Sequence, residues 1–237
     1  MSLPYSATCA GDTAVSTRES FVELESYAGR GLPRDNAGTH RGALDQRNAQ
    51  TASVFTLLPP VEASAVVDFW REAGPERWFA KDANFDLRFR ERFLPWHEAA
   101  APGYLGSWAS TATGALALVL LLDQFPRNAF RNTARMYATD ARARQVAAAA
   151  IDAGHDFMVP TDLQPFFYLP FGHSESVLDQ EHSVTFNRRL GQPHLSHAER
   201  HRDIIRRFGR FPHRNPILER AMIPEEQLFL DEGGYAG

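Results

Sequence analysis

The sequence predicts an all-α protein that contains seven to nine helices. From Val61 onward, apolar residues recur every three to four positions, which is the period of an amphipathic helix. Glycine, proline and short capping side chains separate these segments at the places where helices start and stop. No segment alternates apolar and polar residues as a strand does, and the sequence has no Asn-Gly hairpin turn. Because the connections are short, we expect the helices to pack as an array of antiparallel pairs.

Residues 1–58 differ in composition from the rest of the chain. They are rich in Ser, Thr, Ala, Gly, Asn and Asp, and residues 29–42 contain four glycines and one proline. We therefore predict a flexible or poorly ordered N-terminal extension over 1–58, with one short helix near 18–27 as an option. The Pro59-Pro60 pair marks the boundary, and 59–237 is predicted to be a single helical domain.

The first two predicted helices of this domain are amphipathic. The apolar face of the first helix comprises Ala65, Val66, Phe69 and Trp70. Gly74 is expected to close that helix, with Pro75 as a stop. Asp82 is a good N-cap for the second helix, in which phenylalanines recur every four residues over 85–93. Pro95 should kink or end it, because proline lacks an N–H and clashes with the preceding turn.

Hydroxyl side chains mark the starts of the next three helices. The predicted spans are Thr111 or Thr113 to Leu122, Thr139 to Ala153 before Gly154, and Ser174 to about Leu190 before Gly191. Side-chain oxygens at these starts accept the free N–H groups of the first turn. Glycine at the ends adopts the left-handed conformation that commonly terminates a helix.

The last three predicted helices have starts of different kinds. The first start is a capping box of Ser196 and Glu199, and the second is an N-cap at Asn215 with Pro216 at the first helical position. The third is Pro224 followed by two glutamates. Proline suits the first helical position because its missing N–H would be unpaired there anyway. The first of these helices is expected to stop at Gly209 and the last at 233–234.

Composition and charge exclude several classes of protein. The chain has 237 residues, 43% of them hydrophobic and 23% charged, which is typical of globular proteins and rules out wholesale disorder. A net charge of −4 argues against a dedicated nucleic-acid binder, and the lone Cys9 excludes a disulfide framework or a cysteine-rich zinc site. The longest apolar run, 115–122, is too short to span a membrane. With no signal-peptide pattern, we expect a cytoplasmic protein without a membrane or nucleic-acid partner.

Two similar motifs lie far apart in the chain. Residues 123–128 (DQFPRN) and 209–215 (GRFPHRN) both place Phe-Pro shortly before Arg-Asn. We expect the proline of each motif to end a helix. The Arg-Asn pair that follows has two interpretations, since it can bond free carbonyls at the helix end or donate into a cleft.

These motifs also carry a resemblance to a known family. They are found, in order, within residues 122–128 (LDQFPRN), 170–175 (PFGHSE) and 207–215 (RFGRFPHRN), with DFW at 68–70 and WF at 78–79 upstream. On these residues, the region from about Val66 to Leu230 resembles the bacterial domain-of-unknown-function family 924. The resemblance implies an all-helical fold with tetratricopeptide-like packing, and it implies no settled activity. Met222 and Ile223 stand where the family usually has a Ser or Thr cap.

The first candidate site lies where a helix is expected to begin. His173 and Glu175 lie two residues apart at the expected N-terminus of a helix. They can act there as acid and base, or bind one metal. Gln180 follows them as a candidate ligand-binding residue. The alternative is a capping cluster, in which Ser174 caps the helix, Glu175 favours its dipole and His173 packs.

The second candidate site follows the most apolar helix. Asp123 comes directly after eight apolar residues, so it needs a partner such as Arg127 at the edge of the core. We place Asp123 among the catalytic candidates, and Arg127 and Asn128 among the ligand-binding ones. The alternative is a structural Asp–Arg ion pair that links two helices.

The third candidate site is an arginine-rich segment. Residues 200–214 contain six arginines and two histidines, opposed only by Asp203. Such a cluster suits a carboxylate or phosphate ligand. The candidates are His213 for catalysis and Arg210, Arg214 and Asn215 for ligand binding. The alternative is that many of these arginines are solvated surface residues.

No cofactor is predicted, although a divalent metal is possible if certain side chains converge. The weak metal candidates are His173, Glu175, His201 and His213. His197 and His201 lie one helical turn apart, but Glu199 does not fit the H-E-x-x-H pattern of zinc proteases.

Three functions remain open from the sequence. The favoured one is a polar cleft that binds a small anionic ligand, with hydrolysis or another proton transfer as the reaction. The first alternative is a tetratricopeptide-like module that binds a protein partner. The second alternative is a metal-dependent enzyme. Whether the chain acts as an enzyme, and its oligomeric state, stay open.

Overall fold

The computed structural model describes residues 62–237. This part of the chain is helical and has no β-strand, so the predicted all-α class is confirmed. The α-helices are α1 (Ala63–Ala73), α2 (Pro75–Trp78), α3 (Ala83–Ala100), α4 (Ala112–Val119), α5 (Phe125–Ala129), α6 (Asp140–Asp152), α7 (Pro165–Gly172), α8 (Val177–Leu190), α9 (His194–Phe208) and α10 (Pro224–Asp231). The predicted extension over 1–58, with its optional helix near 18–27, lies outside the described residues.

Aromatic side chains hold α1 against α3. The ring of Phe69 lies 5.4, 5.3 and 5.3 Å from those of Phe85, Phe89 and Phe93, which form one face of α3. Asp82 caps α3 as predicted, because its carboxylate accepts from the N–H groups of residues 84 and 85. The helix then runs through Pro95 to Ala100, so it does not end at that proline.

The most apolar segment of the sequence forms the centre of the described unit. Residues 112 and 114–122 are all buried, and α4 packs against α1, α6 and α7. Thr111 caps α4 by accepting the N–H of Gly114, which selects the first of the two predicted caps. A helix that is apolar on all sides is stable only when neighbours cover it, as they do here.

A π-helical turn, Leu120–Gln124, joins α4 to α5 without a break. The predicted helix end at Phe-Pro is therefore wrong for the first motif. Pro126 has no N–H to donate to Leu122, and the Leu122 carbonyl instead accepts from the Thr139 hydroxyl at 2.6 Å. The Leu121 carbonyl is bonded by His97 Nδ1 at 2.9 Å. With α4 and α5 counted as one, residues 62–237 contain nine helices, within the predicted number.

The C-terminal half is a succession of packed neighbours. Helix α6 contacts α7, α7 contacts α8, and α8 contacts α9. Gly154, Gly191 and Gly209 close α6, α8 and α9 with positive φ angles, as predicted from the sequence. The tetratricopeptide-like, antiparallel character of this packing stays a prediction. In the stretch that the structure describes, no helix is long and apolar enough to cross a membrane.

Several predicted helix starts are wrong by a few residues. Ser176, rather than Ser174, caps α8 by accepting the N–H of Asp179. Ser196 lies inside the first turn of α9, so it forms no capping box with Glu199. Hydroxyl-bearing residues that lie close together compete for the same role, and their spacing alone does not choose between them.

The second Phe-Pro motif also departs from its prediction. Helix α9 already ends at Phe208, and Pro212 begins a short 3₁₀ turn, Pro212–Arg214. No helix starts at Asn215 in the described residues; its side-chain amide donates to Glu226 at 2.9 Å. Helix α10 begins at Pro224 as predicted, and Glu226 Oε2 accepts the N–H of Ile223 in place of the missing Ser or Thr cap.

Candidate active site

The candidate site is centred on a hydrogen bond between Asp123 and His173. Asp123 is fully buried in the π-helical turn, and His173 directly follows the last residue of α7. Asp123 Oδ1 lies 2.9 Å from His173 Nδ1. A buried carboxylate at this distance fixes the orientation of the imidazole and leaves the other nitrogen, Nε2, for chemistry. π-Helical turns are frequent at functional sites.

Arg127 is fully compensated by carboxylates. It lies 3.2 Å from Asp123 Oδ1, and it donates to both oxygens of Asp140 at 2.8 and 3.0 Å. Gln124 donates to the second oxygen of Asp123 at 2.7 Å. The structural Asp–Arg ion pair that the sequence offered as an alternative is thus present, and it lies directly beside the Asp123–His173 pair.

Electrostatics keep Asp123 charged and His173 neutral at pH 7. Burial acts to raise the pKa of Asp123, but Arg127 and His173 outweigh it and hold that pKa well below its usual value. Burial, together with the positive charge of Arg127, lowers the pKa of His173 in spite of Asp123. Because an ionised carboxylate only accepts hydrogen bonds, His173 carries its proton on Nδ1 and its Nε2 is a free acceptor.

Arg214 is buried without a carboxylate partner. It is only 7% exposed, and it forms no ion pair with any acidic residue of the described chain. Its guanidinium donates to the carbonyl of His173 at 2.9 Å and stacks on the rings of Phe211 and Tyr137, at 4.5 and 4.6 Å. Its Nε is buried and has no hydrogen-bond partner. Burial, with the nearby charge of Arg127, lowers the pKa of Arg214.

Two tyrosines and two histidines surround Arg214. The ring of Tyr235 lies 4.5 Å from His201 and 5.1 Å from His213. His213 Nδ1 is buried and unpartnered. Burial lowers the pKa of His201 to about 3 and that of His213 to about 4, so both are neutral at pH 7. Burial raises the pKa of Tyr137 and Tyr235, so both hydroxyls keep their protons.

Glu175 is held in a different set of contacts. Its carboxylate accepts two bonds from Arg220, at 2.7 and 3.0 Å, and one from the N–H of Phe211 at 2.8 Å. Burial acts to raise the pKa of Glu175. The hydrogen bonds from Arg220 and from the N–H of Phe211 outweigh this effect and lower that pKa. Glu175 therefore joins the end of α7 to the second Phe-Pro motif, and both of its oxygens make bonds within the fold.

Four of the predicted ligand-binding residues make bonds within the fold. Asn128 donates to Asp86 at 2.7 Å. Arg210 and Asn215 both donate to Glu226, the former at 2.6 and 2.8 Å. Gln180 donates to the carbonyls of residues 171, 172 and 174, and so holds the backbone on both sides of His173.

The weak metal candidates do not form a metal site here. Among residues 62–237, no group of three or more His, Cys, Asp or Glu side chains is arranged to hold a metal ion. His173 is bonded to Asp123 and Glu175 to Arg220, while His201 and His213 face the ring of Tyr235.

Three residues of this cluster were missed by the sequence interpretation: Asp140, Tyr137 and Tyr235. Asp140 begins α6 directly after the predicted cap at Thr139, and an acidic residue there looks like an ordinary dipole partner. The two tyrosines lie in a 3₁₀ turn and beyond α10, far from any motif. Only tertiary contact reveals them, since no local pattern marks a tyrosine as part of a site.

Comparisons with known proteins agree with this fold and name no activity. The family model described as bacterial protein of unknown function (DUF924) matches residues 66–234. A solved structure of a protein of unknown function from Agrobacterium tumefaciens is 56% identical, with a TM-score of 0.71, and the match covers 72% of this chain and 97% of that chain. No curated protein matches the sequence.

Proposed function

This chain belongs to the family of bacterial proteins of unknown function (DUF924), and we propose that it binds a small anionic molecule at Arg214 and acts on it by proton transfer through His173. The observation that carries the proposal is the burial of Arg214 without a carboxylate partner. Removing a charge from water is costly unless an opposite charge compensates it. A bound anion would supply that compensation.

Arg127 supports the proposal by contrast. It lies near Arg214 and its side chain is only 14% exposed, yet it has both Asp123 and Asp140 as partners. Among residues 62–237, the guanidinium of Arg127 therefore has two carboxylate partners, whereas that of Arg214 has none. An arginine whose donors are left open in this way is suited to recognise a carboxylate or a phosphoryl group.

The contacts of His173 support the proposed proton transfer. Its backbone carbonyl accepts from Arg214, so the residue itself adjoins the proposed anion site. Asp123 holds Nδ1, and Nε2 is left to accept a proton from a water molecule or a ligand hydroxyl. The carboxylate would then stabilise the imidazolium that forms. Hydrolysis and simple proton transfer both fit this arrangement.

Thermal unfolding with added anions tests the binding step. Phosphate, sulfate, acetate and succinate would be added at constant ionic strength to the natural protein and to Arg214→Met. We expect at least one anion to raise the melting temperature of the natural protein and not that of Arg214→Met, because a ligand that binds the folded state stabilises it. The exposed Arg200 supplies a matched control, Arg200→Met, which should respond like the natural protein. Equal responses of Arg214→Met and the natural protein would overturn the proposal.

The catalytic step is tested separately with His173→Gln. This variant should keep the anion-induced stabilisation and lose hydrolysis of chromogenic p-nitrophenyl esters, because glutamine accepts no proton. Asp123→Asn should lose the same activity. Activity that survives in both variants would remove His173 from the proposed mechanism while leaving the binding proposal intact.

One observation favours the alternative of a binding module. An open groove of about 590 Å³ lies between α9 and the segment that follows α10. Its walls carry Phe208 and Phe229, but also the charged residues Glu199, Arg200, Asp203 and Arg207. A partner seated there would engage Arg207, so Arg207→Glu should weaken that interaction and leave anion binding at Arg214 unchanged. Loss of anion binding in Arg207→Glu would place the anion in the groove instead.

A further inference from the structure

The donors around Arg214 also indicate which class of anion they fit. Resting on the function proposed above, we propose that the anion is the phosphoryl group of a phosphate monoester rather than a carboxylate. The inference depends on the number of unpartnered donors and on the separate elements from which they come.

The unpartnered donors approach from three parts of the chain. Arg214 Nε and the ring of His213 belong to the 3₁₀ turn Pro212–Arg214. Tyr137 ends another 3₁₀ turn, Ala134–Tyr137, and Tyr235 follows α10. Neither tyrosine hydroxyl has a hydrogen-bond partner among residues 62–237, and each is within the electrostatic influence of both Arg127 and Arg214.

The geometry of a guanidinium limits what Arg214 alone can bond. Its central carbon lies 4.5 Å from the ring centroid of Phe211 and 4.6 Å from that of Tyr137, its Nε has no partner, and all N–H groups of a guanidinium lie in one plane. A carboxylate placed in that plane presents two coplanar oxygens and satisfies the guanidinium alone. A phosphoryl group has three terminal oxygens in a pyramid, so it can also accept from hydroxyls that lie outside the plane. The extra donors therefore favour the phosphoryl group.

No free carboxylate opposes a phosphoryl group at this position. Asp123 and Asp140 are engaged by Arg127, and Glu175 is engaged by Arg220. His213 is neutral and its Nδ1 has no partner, so its ring can donate one N–H to the anion. A donor-rich, acceptor-poor lining of this kind is what a multiply charged oxyanion requires.

Calorimetric titration with simple anions tests this class assignment. The probes are inorganic phosphate and methyl phosphate against acetate and benzoate, at one ionic strength and at pH 7. We expect the phosphoryl probes to bind at least tenfold more tightly than either carboxylate. Tyr137→Phe and Tyr235→Phe should each weaken phosphate binding about tenfold and leave acetate binding unchanged, since each removes one hydrogen bond to a charged group.

Tyr168→Phe is the matched control. Its hydroxyl donates to Asp156 at 2.7 Å, in a buried contact that involves none of the residues around Arg214. Removing it should leave the affinity for phosphate unchanged. Equal weakening by Tyr168→Phe would show a nonspecific effect and overturn the assignment of the tyrosine hydroxyls.

The remaining outcomes separate this inference from the function on which it rests. Carboxylates that bind through Arg214 while phosphate does not would overturn the phosphoryl assignment and support the anion site. Failure of all four probes to bind would overturn both. Phosphate binding that is equal in the natural protein and in Arg214→Met would place phosphate elsewhere on the surface and also overturn both.

Discussion

The two Phe-Pro motifs are alike in sequence and differ in how their arginines are compensated. In both, the phenylalanine is buried, at Phe125 and Phe211. In both, the asparagine makes a bond within the fold, from Asn128 to a carboxylate of α3 and from Asn215 to one of α10. The arginines diverge, since Arg127 has two carboxylate partners and Arg214 has none among the described residues.

This difference separates structural residues from functional ones within a repeated pattern. A compensated buried arginine contributes to the fold and has nothing to offer a ligand. A buried arginine without a carboxylate partner destabilises the fold. Destabilising groups of this kind are found preferentially at functional sites. By this argument the asparagines and Arg127 support the fold, and Arg214 is the arginine that we propose to bind the ligand.

The largest expected effect is from Arg127→Met. This change leaves Asp123 and Asp140 buried without their cation, and breaking a buried pair in this way costs about 3–5 kcal/mol. Urea denaturation of the variant should show a loss of that size in the free energy of unfolding. A loss below about 1 kcal/mol would mean that Arg127 is as dispensable to the fold as an exposed arginine, and the comparison would fail.

The next effect concerns pH and the neutral histidines beside Arg214. The folded pKa values of His201 and His213, about 3 and about 4, lie below an unfolded value of about 6.5, so the unfolded chain binds more protons in that interval. The free energy of unfolding should therefore fall as pH drops from about 6.5 towards 4, by up to about 1.4 kcal/mol per pH unit for each histidine. Denaturation at pH 7, 6 and 5 measures this slope, which should be shallower in His213→Gln. An unchanged slope in that variant would exclude His213 as a source.

A smaller effect is expected from Asn128→Ala. The variant loses a hydrogen bond to Asp86, but Arg131 still pairs with that carboxylate, so the cost should be about 1–2 kcal/mol. Anion binding should not change. Calorimetric titration of the variant with phosphate checks this point, and weaker binding would assign the asparagine to the ligand site instead of the fold.

The smallest effect on stability is expected from Arg214→Met. Loss of one hydrogen bond and of aromatic stacking is offset by relief from burying an uncompensated charge, so the free energy of unfolding should change by no more than about 1 kcal/mol. Denaturation of this variant beside Arg127→Met sharpens the comparison. Equal, large losses in the two variants would mean that both arginines are structural.

Much of the fold could be predicted from local sequence. The cap at Asp82, the apolar helix after Thr111 and the glycine stops depend on neighbouring residues only, and the structure has them where the pattern predicts. The Phe-Pro helix ends could not be predicted, because side chains distant in sequence decide the outcome. Thr139 and His97 bond the carbonyls of the π-helical turn, so the helix continues through Pro126.

The site was predictable only in part, for the same reason. Four charged or titratable residues beside predicted helix ends could be chosen as site candidates: Asp123, Arg127, His173 and Arg214. The fold brings these four residues together. Which of the two arginines is compensated depends on Asp140, a residue that looks like a routine member of a first helical turn. No local pattern marks the tyrosines, because only tertiary packing brings the ring of Tyr137 beside Arg214 and that of Tyr235 beside His213.

Bromide soaking of crystals shows whether Arg214 accepts an anion, because bromide has no preferred geometry and scatters anomalously. We expect an anomalous peak within contact distance of the Arg214 guanidinium, and none at Arg127, whose donors already face Asp123 and Asp140. Bromide bound at exposed arginines and not at Arg214 would contradict the proposal that Arg214 binds an anion.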